Sequence, residues 1–244
     1  MIPKKIHYCW FGRSKKPKLA EKCIESWKKY CPDYELIEWN EDNIDLNEST
    51  YIKYCYDNKK WAYLSDYIRL SVVEKYGGIY FDTDVELVKS IDDMLKFEAF
   101  FGFEADDYVA SGLGFGAVAH HRVIQLMLEE YLLLGKQIEE TREFVGCPIL
   151  NTKALIKCGL LRNGEYQEVQ GAHIFPADYF NPYDDATGRL NITSNTVSIH
   201  WYTKSALSKK TRFRSMLTRP IHRVFGVDCF KKLKSVLAMR KKAK

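Results

Sequence analysis

Large apolar residues recur at steps of three and four over Trp61, Leu64, Ile68, Val72 and Tyr76, which is the spacing of one buried helical face. They predict a helix from Trp61 to Tyr76, stopped by Gly77-Gly78. The period then changes. Ile79-Tyr80-Phe81 reads as a short strand entering the core, with Asp82-Thr83-Asp84 at its mouth. Before this block, residues 5–10 read as a first strand and residues 34–39 as a second. Between them residues 19–30 form a helix with Leu19, Cys23, Ile24 and Trp27 on one side, ended by Cys31-Pro32-Asp33. After the block, residues 97–103 predict a central strand, residues 120–134 a helix, and residues 146–159 another helix. Two strand-like pieces, residues 169–175 and 196–200, flank the turn-rich stretch 181–188.

A strand-helix-strand opening suits a nucleotide-binding α/β sheet, whose ligands sit beyond the carboxyl ends of the strands, and Trp10 falls at such an end. With 244 residues, 46% of them hydrophobic, the chain can bury a substantial core, most simply one α/β domain over residues 1–203. No apolar run reaches the length of a membrane span and no signal-peptide pattern opens the sequence, so a cytoplasmic chain is expected. Seven scattered cysteines without a Cys-x-x-Cys pair predict reduced thiols rather than a disulfide framework or structural zinc.

The net charge of +5 hides an asymmetry: residues 204–244 hold fourteen Lys and Arg against one acid, Asp228, while residues 1–203 are net negative. Phe213, Met216, Leu217, Ile221, Val224 and Phe225, then Phe230, Leu233, Val236 and Leu237, keep helical spacing among these bases. The segment 204–244 therefore reads as a basic amphipathic helical extension. An anionic membrane surface is its expected partner, with packing against the domain as the competing reading; nucleic acid is not expected.

The chemistry centres on Asp82 and Asp84. In an extended backbone, carboxylates two residues apart share a side. Such a pair is unfavourable without a compensating cation, and hard oxygen ligands suit Mg2+ or Mn2+, which complete their shells with water and phosphates. A solvated turn is the bland alternative. Asp66 and Arg69, three apart on the predicted helix, form at least an ion pair. Ser111-Gly-Leu-Gly-Phe-Gly116 allows close approach of backbone to a ligand, and His120-His121 reads as a helix start.

Three ordered blocks carry a resemblance: Ile2-Pro-Lys-Lys-Ile-His7-Tyr-Cys-Trp10-Phe-Gly12, Asp66-Tyr-Ile-Arg69, and Tyr76-Gly-Gly-Ile-Tyr80-Phe-Asp82-Thr-Asp84. Together they resemble the DXD sugar transferases of glycosyltransferase family 32 and, more remotely, the clostridial toxin glucosyltransferase domains. The resemblance implies a GT-A-like fold, with a mixed central sheet flanked by helices. It also implies metal-dependent transfer from a nucleotide-diphosphate sugar, preferably a UDP-sugar with a GDP-sugar as the other option. Transfer would retain configuration and go to a glycan or lipid-linked saccharide of a bacterial surface polysaccharide. By the same resemblance, Cys9, Trp10, Asp66, Arg69, Tyr80, Asp82 and Ser205 bind the donor: Trp10 the base, Asp66 and Arg69 the sugar, Tyr80 the diphosphate. Asp82 and Asp84 are catalytic, and with His200 they hold Mn2+ or Mg2+. Two departures stand out, Ala206 in place of a tryptophan after Ser205 and Cys147 inserted in a Gly-Pro segment. A phosphohydrolase of the haloacid dehalogenase type, with Asp82 as nucleophile, is the rival enzyme, although Glu86 occupies the place of its usual Thr or Val. A non-catalytic nucleotide-sugar or membrane-binding module is the third reading.

Overall fold

The computed structural model describes residues 1–104, 107–203, 209–227 and Cys229. In chain order the elements are β1 (Lys5–Cys9), α1 (Lys18–Tyr30), β2 (Glu35–Trp39), α2 (Thr50–Asp57), α3 (Trp61–Tyr76), β3 (Gly78–Tyr80), β4 (Val85–Leu87), β5 (Ala99–Gly102) and β6 (Phe115–Ala117). They continue with α4 (Arg122–Gly135), α5 (Ile138–Thr141), α6 (Cys147–Lys157), β7 (Gln167–Val169), β8 (Ala172–Phe175), α7 (Ala177–Phe180), β9 (Tyr183–Asp184), β10 (Arg189–Leu190), β11 (Ser198–His200) and α8 (Lys209–Phe225).

Seven strands form a mixed sheet in the order β2-β1-β3-β6-β5-β8-β7. β2, β1, β3, β5 and β8 run one way, while β6 and β7 are reversed. The chain moves from β1 outward to β2 and then returns to place β3 on the other side of β1. This reversal of direction leaves a crevice beyond the carboxyl ends of β1 and β3. Two small antiparallel pairs, β4 with β11 and β9 with β10, lie outside the main sheet.

Strand alternation sends successive side chains to two separate cores. Phe101, Tyr80 and Cys9 join Leu64, Ile68, Met127 and Tyr131 beneath the helices α2, α3 and α4. Their sequence neighbours Phe100, Phe81 and Tyr8 face the opposite way, onto Trp27 of α1 and Phe180. Trp27 is fully buried, and its indole N–H donates to the Val85 carbonyl at 2.8 Å, which fastens α1 to β4. Local signals set several boundaries. The Ser49 side chain accepts from the Ile52 N–H at the start of α2, and His121 accepts from Val123 N–H at the start of α4, as a helix-start residue should.

Two expectations change. The strand predicted over residues 169–175 is a hairpin, β7 and β8, because Gln170 and Gly171 both adopt positive φ, 51° and 77°, and turn the chain between them. Helix α3 is not one-sided: besides Leu64, Ile68 and Val72 it buries Asp66, Tyr67, Arg69 and Val73, while Tyr76 is exposed. It packs against β1, β3, α2 and α4, so its polar residues are buried along with its apolar ones. Ser205 and the expected helical residues Phe230, Leu233, Val236 and Leu237 lie outside the described residues.

Gly77 closes α3 with φ 61° and ψ 179°, a backbone region open in practice to glycine alone, and a Cβ there would lie 3.0 Å from the Ala119 nitrogen. Replacing Gly77 with Ala should therefore lower stability by about 1–3 kcal/mol. The check is a fall in the urea midpoint at unchanged slope; an unaltered midpoint would refute the strained-turn account.

Candidate active site

Trp10 follows β1, Asp82 follows β3 and Glu104 follows β5, and all three line one cavity of about 550 Å³ at the carboxyl edge of the sheet. Asp82 Oδ1 accepts hydrogen bonds from Arg69 Nη2 at 2.9 Å and from the Tyr80 hydroxyl at 3.0 Å. The same Nη2 lies 2.9 Å from Asp66 Oδ1, so one buried guanidinium joins two carboxylates. Arg69 is held by its own helix, its Nε donating to the Ser65 carbonyl, and it lies 5.0 Å from the Tyr80 ring centre. Gly112 makes room for the cluster: a Cβ at that position would come within 2.7 Å of Asp82 Oδ2.

Asp66 has a second task. Its carboxylate accepts the backbone N–H of Cys147, the first residue of α6, where the preceding Gly146 has no side chain to serve as a cap. A residue on α3 thereby caps the helix that forms the far wall of the cavity.

Asp84 is fixed from the C-terminal side of the domain. Its Oδ2 accepts from both the backbone N–H and the hydroxyl of Thr203, each at 2.8 Å, and its Oδ1 lies 3.2 Å from His200 Nε2. The β4–β11 ladder, which sets Val85 opposite His200, brings these residues together. Asp82, Asp84 and His200 each offer one ligand atom within 4.8 Å of the others. Two carboxylate oxygens favour a hard divalent cation, and the added imidazole nitrogen suits Mn2+ better than Mg2+. His200 Nδ1 is buried with no partner among the described residues. The residues present therefore fit such an ion.

Burial drives Asp82 upward from the usual carboxylate value; Arg69 opposes that shift and the charge of Asp84 adds to it. Burial presses on Asp84 too, but the His200 charge and the hydrogen bonds from His200 and Thr203 outweigh it and hold Asp84 well below the usual range. His200 is raised because Asp84 overcomes the penalty of burial. Two adjacent acids are thus pushed in opposite directions.

Residues 17–101 match the family described as the glycosyltransferase sugar-binding region containing the DXD motif. The match takes in α1 to α3, β3 and both acids, about a third of the chain. Over 109 residues the chain is 30% identical to inositol phosphoceramide mannosyltransferase 3 of Schizosaccharomyces pombe, covering 40% of this chain and 28% of that protein. Over 75 residues it is 35% identical to the alpha-1,4-N-acetylglucosaminyltransferase of Homo sapiens, covering 30% of this chain and 21% of that protein. The chain thus spans less than a third of the length of either relative. The solved PaToxG glycosyltransferase shares the fold with a TM-score of 0.53 at 20% identity, over 64% of this chain and 69% of its own.

Cys9, Trp10, Asp66, Arg69, Asp82, Asp84 and His200 all reach the one cavity, with Asp66, Arg69, Asp82 and Asp84 inside the matched region and the other three outside it. Tyr80 does not open onto it. Instead of reaching outward to a diphosphate, Tyr80 is fully buried and gives its hydroxyl to Asp82. Burial pushes the Cys9 thiol up to about 12, so it lines the cavity as a neutral thiol. Trp10 is partly exposed; its indole N–H donates to the Ser14 carbonyl at 2.6 Å and the Lys16 ammonium sits 5.6 Å from the ring. Sequence reasoning missed Thr203 and Gly112 as supports of the two acids, and missed the cap on α6. The Gly-rich run 111–116 signalled Gly112, but nothing local marks Thr203.

Burial, only partly offset by Arg69, raises Asp66 to about 6 from an ordinary 3.8. The folded state therefore binds more protons than the unfolded one between about pH 4 and pH 6, and stability falls as pH rises through that window. Asp66→Asn should flatten this part of the profile. Urea midpoints at pH 4, 5, 6 and 7 test it, and a variant whose slope equals that of the wild type would show that Asp66 does not titrate there.

Proposed function

We propose that this protein is a metal-dependent glycosyltransferase acting on a nucleotide-diphosphate sugar. The observation that carries the reading is the convergence of two carboxylates and an imidazole on a cavity that also contains Trp10, with both carboxylates inside the region that matches the DXD family. In this reading residues 1–203 form the catalytic unit and residues 204–244 an appended surface element.

The base stacks on the Trp10 indole, and the sugar lies toward Asp66 and Arg69, with Cys147 and Gly112 nearby in the cavity wall. Asp82, Asp84 and His200 would hold Mn2+ or Mg2+, which when bound would supply positive charge against the departing diphosphate. Arg69 and Tyr80 fix the Asp82 carboxylate from behind, and Thr203 fixes that of Asp84, so neither acid has to reorganise on binding. The bond from the anomeric carbon to the diphosphate breaks, and a new one forms to an acceptor hydroxyl. The family resemblance adds the finer points: a UDP-sugar donor, retention of configuration, and a glycan or lipid-linked acceptor in bacterial surface polysaccharide synthesis. Ser205 would contribute to the donor contact. We place the activity in the cytoplasm, at the inner face of the membrane. Among the described residues no helix is long and apolar enough to cross a membrane.

The rival phosphohydrolase needs Asp82 free to attack phosphorus. Its carboxylate is instead tied through Oδ1 to Arg69 and Tyr80, which favours a positioning and ligand role.

Donor hydrolysis or transfer with a panel of UDP- and GDP-sugars, with and without Mn2+, tests the proposal. Asp84→Ala should lower metal-dependent turnover at least about 100-fold, on the scale of losing a group that organises transition-state charge, with the fold retained by circular dichroism. A fully active variant would remove Asp84 from the mechanism. Trp10→Ala should raise the donor KM about tenfold with a smaller change in kcat, in line with about 1–3 kcal/mol for base stacking. Unchanged KM across all donors would place the base elsewhere.

A further inference from the structure

Helix α8 meets the rest of the protein with its polar side. Arg219 pairs with Asp185 at 2.6 Å and donates to the Asp185 carbonyl, Arg223 donates to the carbonyls of Thr187 and Gly188, and His222 approaches the Ala186 carbonyl. All of these contacts fall on the turn between β9 and β10. The opposite side of the helix is apolar and bare: Phe213, Met216, Leu217, Ile221, Val224 and Phe225 are between 40% and 73% exposed. At about 100° per residue these six make one continuous stripe, and exposed Lys210 and Arg214 project on the same outward half. This is the reverse of an ordinary surface helix, which turns its apolar face to the core. A contiguous stripe of this size marks an interaction surface.

We propose that α8 lies flat on an anionic lipid bilayer, with the stripe at the acyl boundary and Lys210 and Arg214 at the headgroups. The inference deepens the membrane-facing part of the function proposed above and rests on it. Charge complementarity selects the occupant: the helix contains no acid, and residues 204–244 carry a net +13. Geometry connects the surface to the active site. Arg219 lies over the Tyr183 ring, Tyr183 packs on Trp201 with centroids 5.3 Å apart, and the Trp201 N–H donates to the Asp84 carbonyl. Three contacts therefore separate the bilayer-facing helix from Asp84, which suits an acceptor sugar carried on a membrane lipid.

The test is co-sedimentation of the full chain with vesicles of phosphatidylcholine alone or with about a third phosphatidylglycerol, at low and high salt. The expected result is binding to the anionic vesicles that weakens with salt. The double variant Val224→Asp with Phe225→Asp should bind at least tenfold more weakly, and so should Lys210→Glu with Arg214→Glu. Both pairs are exposed, so thermal stability and hydrolysis of soluble donor should match the wild type. No vesicle binding by the full chain, or undiminished binding by both variants, would overturn the proposal. So would a stable dimer in solution that the Val224 and Phe225 changes dissociate, because the stripe would then join two copies. Vesicle binding without any nucleotide-sugar binding would instead remove sugar transfer and leave the bilayer contact standing.

Discussion

The Arg69 guanidinium, buried between Asp66 and Asp82, is the interaction on which the rest of the structure depends. Isolated, each of these charges would be costly to bury; together they neutralise and saturate one another. Removing one member of such a buried set typically costs about 3–5 kcal/mol because the remaining charges are left without a partner. Here the cluster also spans three parts of the fold. Arg69 belongs to α3, Asp82 to the end of β3, and Asp66 reaches across to the first turn of α6. Stability of the domain and shape of the cavity are therefore set by the same few atoms.

A second fastening comes from the far end of the domain. Asp84 and Thr203 are 119 residues apart in sequence, yet the hydrogen bonds between them and the His200 contact are made by a three-residue strand pair outside the main sheet. Trp201 adds to it by donating its indole N–H to Glu86, the residue between Val85 and Leu87 on β4. Residues 198–203 thus act as a late-arriving strap: a long loop is closed, and the reward is that both oxygens of Asp84 are directed. The opposite pulls on Asp82 and Asp84 follow from how far their neighbours offset burial: Arg69, shared with Asp66, does not outweigh it at Asp82, whereas His200 and Thr203 do at Asp84.

The parts legible in the sequence are those decided by neighbours in the chain. The α3 pattern, the Gly77 stop and the two acids after β3 needed only local spacing, and these elements appear where predicted. The β7–β8 turn was not legible because Gln170, an ordinary residue, takes the left-handed conformation usually marked by Gly or Asn. The inward-facing Asp66 and Arg69 were ambiguous for a different reason: an ion pair on a helix reads as a solvated surface feature until a third charge, Asp82, is known to face it. Thr203 and the α6 cap depend on contacts across the fold that leave no local signature. The reversed mounting of α8 belongs to the same class, since its arginines look solvent-facing until the carbonyls of residues 185–188 are brought beneath them.

The cavity's own charges bear on how an anionic donor can enter it. Among the described residues, Asp66, Asp82, Asp84 and Glu104 line the wall together with Arg69 and His200, and the charge of Arg69 is shared by two carboxylates while His200 faces Asp84. A diphosphate approaching such a wall meets repulsion from the acids, and among the described lining residues each cation already faces a carboxylate. For a nucleotide-diphosphate sugar to bind here, positive charge has to arrive with it or ahead of it, and the position where Asp82, Asp84 and His200 converge is where it would be most strongly held. Under the proposed function, a metal ion would therefore be required for binding before it is required for chemistry, because the acids that repel a bare diphosphate are the ones that would hold the cation.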